Sequence, residues 1–83
     1  MADSFAVSIN APGQWQELLA GPGKWLVTGN DNYDYAWSAA PPAEAIPGHF
    51  RLARQDLVVV VLAGEKFWVR ALRPMRLTVT ADA

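Results

Sequence analysis

The sequence predicts an all-β fold, one small antiparallel β-sandwich or barrel of about seven to eight short strands, on three grounds. Turn chemistry recurs at roughly ten-residue spacing, at Pro12-Gly13, Gly21-Pro22-Gly23, Gly29 to Asn32, Pro41-Pro42, Pro47-Gly48, Gly64-Glu65 and Pro74. The pieces between these turns alternate apolar and polar residues with a period of two. They are also rich in the β-branched and aromatic residues that fit a pleated, half-buried surface. With 83 residues the chain has room for a single domain spanning residues 1–83, because domains commonly run roughly 100–150 residues.

Taken in order, Phe5 to Asn10 places Phe5, Val7 and Ile9 on one face. Gln14 to Ala20 has some helical propensity, but its shortness and the Gly-Pro-Gly stop favour a strand. Lys24 to Thr28 puts Trp25 and Val27 on one side, and Tyr33 to Trp37 sets Tyr33, Tyr35 and Trp37 against Asp34 and Ala36. His49 to Ala53 brings Phe50 and Leu52 together, and Arg76 to Ala81 alternates Leu77, Val79 and Ala81 with Arg76, Thr78 and Thr80. These are expected to be half-buried strands. Leu57 to Leu62 is apolar at every position and reads as a strand covered on both faces, either by the amino-terminal segment or by another subunit. Phe67 to Leu72 is similar, with Arg70 its only polar member. Pro41 to Pro47 has loop composition.

Composition narrows the function classes. A domain this small usually draws extra stability from disulfides, a structural metal or association. The chain has no cysteine, and one histidine cannot complete a zinc site. Association is left, and an apolar content of 52%, above the roughly 45–50% of ordinary chains, points the same way. A net charge of -1 with dispersed basic residues argues against nucleic acid as a partner. The start, Met1 to Phe5, has no secretory-signal pattern, and no apolar run approaches a membrane-spanning length. The expectation is a cytoplasmic product with no membrane partner.

No constellation for catalysis is visible, so the chain is expected not to be an enzyme and to carry no cofactor. His49 stands alone, and no Gly-x-Ser-x-Gly elbow presents Ser4, Ser8 or Ser38. Asp31 and Asp34 sit in an Asn- and Asp-rich turn, where local hydrogen bonding accounts for them. A calcium site over Asn30 to Asp34 lacks EF-hand spacing. Gly21 to Lys24 lacks the spacer and the helix of a phosphate loop. What remains is nine aromatic residues, four of them Trp. Trp15, Trp25, Trp37 and Trp68 are too many for the core of so small a sandwich. The stripe Tyr33, Tyr35, Trp37 reads as core, as a subunit interface or as a platform for sugar rings.

Trp25 to Asn30, Tyr33 to Ser38, the Pro41-Pro42 and Pro47-Gly48 turns, the apolar strand, Phe67-Trp68-Val69-Arg70-Ala71 and the closing Arg76 to Thr80 follow one another in an order that resembles very small β-sandwich virion proteins of tailed bacteriophages. The resemblance covers Trp25 to Thr80, and Phe67 to Ala71 is its most specific piece. It implies a structural part of the virion, chiefly a head decoration or cement protein made in the host cytoplasm and bound to the capsid surface. Its implied partners are the major capsid protein or other virion proteins, and copies of itself in a homo-oligomer. A ligand- or glycan-binding module of a fibre or tail, or a small tail or assembly component, is the alternative. The contact is expected on Tyr33, Tyr35, Trp37, Trp68, Arg70 and the proline loop with Pro41 and Pro42.

Overall fold

The computed structural model describes residues 4–42 and 48–81. They form eight strands: β1 (Ser4–Ile9), β2 (Gln16–Ala20), β3 (Gly23–Gly29), β4 (Tyr33–Ser38), β5 (His49–Arg51), β6 (Asp56–Val61), β7 (Lys66–Arg70) and β8 (Met75–Ala81). Two four-stranded sheets hold them, sheet A in the order β1-β8-β3-β6 and sheet B in the order β2-β7-β4-β5. Every pairing is antiparallel. The expected all-β sandwich is therefore what forms. Only the step from β4 to β5 stays within one sheet; every other connection crosses between sheets.

The period-two alternation decides which side chains meet between the sheets. From sheet A come Ile9, Val27, Val59, Val61, Met75, Leu77 and Val79, and from sheet B come Leu19, Tyr33, Phe67 and Val69. Val7, Trp25, Leu57, Tyr35 and Trp37 pack against them at the margins. Burying such side chains, at roughly 25 cal/mol per Å² of apolar surface, is what sets the ladder register, because a one-residue slip would turn each set to water. The β2–β7 ladder shifts register between Glu17 and Leu19. That bulge interrupts the alternation and lets both Leu18 and Leu19 reach the core.

Two corners need glycine. At Gly21, where β2 turns into β3, a Cβ would run into the backbone carbonyl of Leu62. The Gly21 N–H donates to the Glu65 carbonyl at 3.0 Å, and the Gly21–Pro22 peptide is cis. Gly48 has a φ of 65° and lies against the Trp15 ring and the Tyr35 carbonyl, so a side chain there would meet both strain and a clash.

Two expectations about individual strands need correction. β6 is not covered on both faces within the chain. Val58 and Val60 turn to the outside of sheet A at 58% and 51% exposure. The amino-terminal strand does not cover them, because β1 occupies the opposite edge of the sheet. The short β5 does not half-bury its apolar pair either, since Phe50 and Leu52 are both exposed at the edge of sheet B. By contrast β7, in the interior of sheet B, is covered on both sides.

Candidate functional site

The aromatic stripe on β4 is core-facing. Tyr33 is 2% exposed, and Tyr35 and Trp37 are half-buried against the core. Their rings form a tilted and edge-to-face stack with Phe67, with centroids at 5.7 Å for Tyr35 and 5.3 Å for Trp37. Burial pushes the Tyr33 phenol up to about 12, and its hydroxyl finds no hydrogen-bond partner among the described residues. Trp37 reaches across to sheet A, where its Nε1–H donates to the Val60 carbonyl at 3.0 Å. A flat, solvent-facing platform for sugars therefore has no basis in these three residues.

The remaining residues expected at an interface are scattered. Trp68 points to the outer side of sheet B, yet it is only 7% exposed, with its Nε1–H donating to the Ser38 carbonyl at 3.0 Å. Arg70 is half-buried and bound within the chain. Pro41 is exposed and Pro42 half-exposed, and residues 43–47 of the proline loop lie outside the described residues. The four tryptophans divide evenly. Trp25 and Trp37 pack on the inner side, while Trp15 and Trp68 belong to the outer side of sheet B.

What the structure assembles instead is a groove of about 530 Å³ at the outer side of sheet B. The register places Arg70, Asp34 and Phe50 in one row across β7, β4 and β5. Arg70 donates to the Asp34 carboxylate at 3.2 Å, and its guanidinium lies over the Trp15 ring at 4.4 Å. A second pair, Arg73 to Asp31 at 2.9 Å, closes one rim. The Arg73 hydrogen bond, helped by the Asn32 backbone N–H, holds the Asp31 carboxyl below its usual range. Phe50 and Leu72, at 60% and 87% exposure, supply apolar walls. Two carboxylates that each face a guanidinium suit neither calcium binding nor proton transfer. The arrangement offers an apolar slot with a polar, self-neutralised rim.

The second uncovered surface is the outer face of sheet A, where Leu26 pairs with Val58 beside Val60. Sequence reasoning passes over Phe50, Leu72, Asp31 and Arg73 as interface residues. Their only advance signal was two large apolar residues next to turns. No known protein family, curated protein or solved structure matches this chain.

Proposed function

We propose that this chain is a non-catalytic structural protein of a tailed-phage virion, a head decoration protein that binds the assembled capsid and holds neighbouring capsomers together. One observation carries the reading. A small domain without disulfides leaves large apolar side chains uncovered on two separate surfaces, Leu26, Val58 and Val60 on sheet A and Phe50 and Leu72 on sheet B. Contiguous exposed apolar surface marks a contact site, and two such surfaces suit a protein that joins bodies together. The order of motifs that resembles virion proteins supports the same role.

The sheet B groove is the contact for the capsid protein. An apolar side chain of that protein seats between Phe50 and Leu72, and the Asp34–Arg70 and Asp31–Arg73 pairs form the polar rim around it. An apolar centre within a polar rim is the usual anatomy of a protein–protein contact. The overall charge of -1 favours such a partner over nucleic acid. Docking onto a folded lattice in turn stabilises the small domain by mass action.

Heads assembled without the protein, then incubated with it and sedimented, should retain it and should rupture at a higher temperature once loaded. Leu72→Glu should abolish retention while leaving the melting temperature of the isolated protein unchanged. Heads that retain none of it, or that resist heat and osmotic shock equally with and without it, overturn the reading.

A further inference from the structure

We infer that the outer face of β3 and β6 is a two-fold contact with a second copy of this chain. Three observations define the occupant. Leu26, Val58 and Val60 form an exposed apolar strip, with Leu62 continuing it past the end of β6. Only a covering surface of its own kind or of a partner removes such a strip from water.

The edge of β6 is not built to accept a further strand. The Trp37 indole occupies the Val60 carbonyl, and the Arg51 guanidinium occupies the Asp56 carbonyl. Just beyond the strand, the Leu62 N–H donates to the Glu65 carboxylate at 3.3 Å. Side chains from sheet B and from the turn after β6 thus blunt the edge, which is how sheets resist edge-to-edge addition. Association has to go through the face.

The charges on that face are self-complementary. The register sets Leu26 opposite Val58, Thr28 opposite Asp56 and Lys24 opposite Val60. Asp56 therefore lies two residues, about 7 Å, to one side of the Leu26–Val58 pair, and Lys24 lies the same distance to the other. A two-fold axis in the interface, running across the strands at Leu26 and Val58, exchanges the two ends. It carries Asp56 of each copy towards Lys24 of the other and lays Leu26 and Val58 of one copy against Leu26 and Val58 of its partner. In an isologous contact every pairing occurs twice, so one favourable pairing on this face becomes two. Thr28 already holds the Asp56 carboxylate from the side at 2.6 Å, which fixes its position for a second cation.

This contact uses sheet A alone and stands whether or not the groove on sheet B binds a capsid. Sedimentation of the purified protein over a range of concentrations should show a monomer–dimer equilibrium. Val58→Asp should give a monomer with an unchanged circular dichroism spectrum. Lys24→Glu and Asp56→Lys should each weaken the dimer about tenfold or more, because each creates two like-charge contacts. Mixing those two variants should restore dimers, as hetero-pairs in which both contacts are attractive. A protein that stays monomeric at all concentrations overturns the inference, as does a dimer indifferent to both charge changes. A dimer that heads fail to retain keeps this inference and removes the virion reading.

Discussion

Strands β6 and β7 look alike in sequence and end in opposite situations. Both belong to apolar stretches of sequence that run past the strand, Leu57 to Leu62 for Asp56–Val61 and Phe67 to Leu72, broken only by Arg70, for Lys66–Arg70. β7 lies between β2 and β4, with Phe67 and Val69 sealed in the core and Trp68 covered on the other side. β6 is the edge of sheet A and seals Val59 and Val61 while showing Val58 and Val60 to the outside. An apolar run therefore does not report that the chain covers both faces of the strand. Where the strand falls in its sheet decides whether its outer side chains are covered from within the chain.

Substitutions should separate the two strands most sharply at the core. Phe67→Ala removes a fully buried ring that holds Tyr35 and Trp37 in place, and should cost about 3–5 kcal/mol in chemical denaturation. A loss under about 1 kcal/mol would mean that β7 is not the anchored strand. The next effect is a pH dependence through Tyr33 on β4, the strand beside β7. Because the folded Tyr33 phenol is raised from 10.0 to about 12, stability is full below pH 10. As pH climbs from 10 towards 12 the unfolded tyrosine ionises and the folded one does not, so stability should fall by about 2–3 kcal/mol. Tyr33→Phe should flatten that alkaline loss in urea melts. It should cost little at neutral pH, since the hydroxyl it removes has no partner among the described residues.

Smaller changes probe the edge strand. Trp37→Phe uncovers the Val60 carbonyl and should cost about 1–2 kcal/mol, with aggregation on warming as the accompanying sign of a reopened edge. Val58→Thr, on the outer face of β6, should change the stability of the monomer by no more than about 0.5 kcal/mol. A large loss there at high dilution would show that the face is covered within the chain and that β6 resembles β7 after all.

The fold was legible because period-two alternation and turn residues are local signals, readable without knowing where a strand goes. The strand faces followed from them: Phe5, Val7 and Ile9 do share the inner side with Leu77 and Val79. The candidate site was far less legible. Alternation tells that Tyr33, Tyr35 and Trp37 lie on one face, but it is the same for a face turned inward or outward. The Asp34–Arg70 pair joins residues 36 apart in sequence and exists only once β4 lies beside β7. Leu72 and Phe50 gave no sign of sharing a groove, because Phe50 stands on the edge strand β5 and Leu72 in the turn from β7 to β8, far apart in sequence. The even division of the tryptophans also needed the structure, since Trp68 is buried on a side that alternation alone assigns to solvent.

The adjacency of the first and last strands sets how the molecule carries load. β1 and β8 run antiparallel, and Ser4 sits opposite Thr80, their hydroxyls 2.8 Å apart. A pull applied along the chain through these two ends would part the ladder rung by rung, like a zipper, with the force never shared across many hydrogen bonds at once. A pull applied through the outer faces of the two sheets instead loads the packed interior as a whole. The domain is weak when tugged by its ends and stronger when gripped by its faces, and its uncovered apolar surfaces lie on those faces.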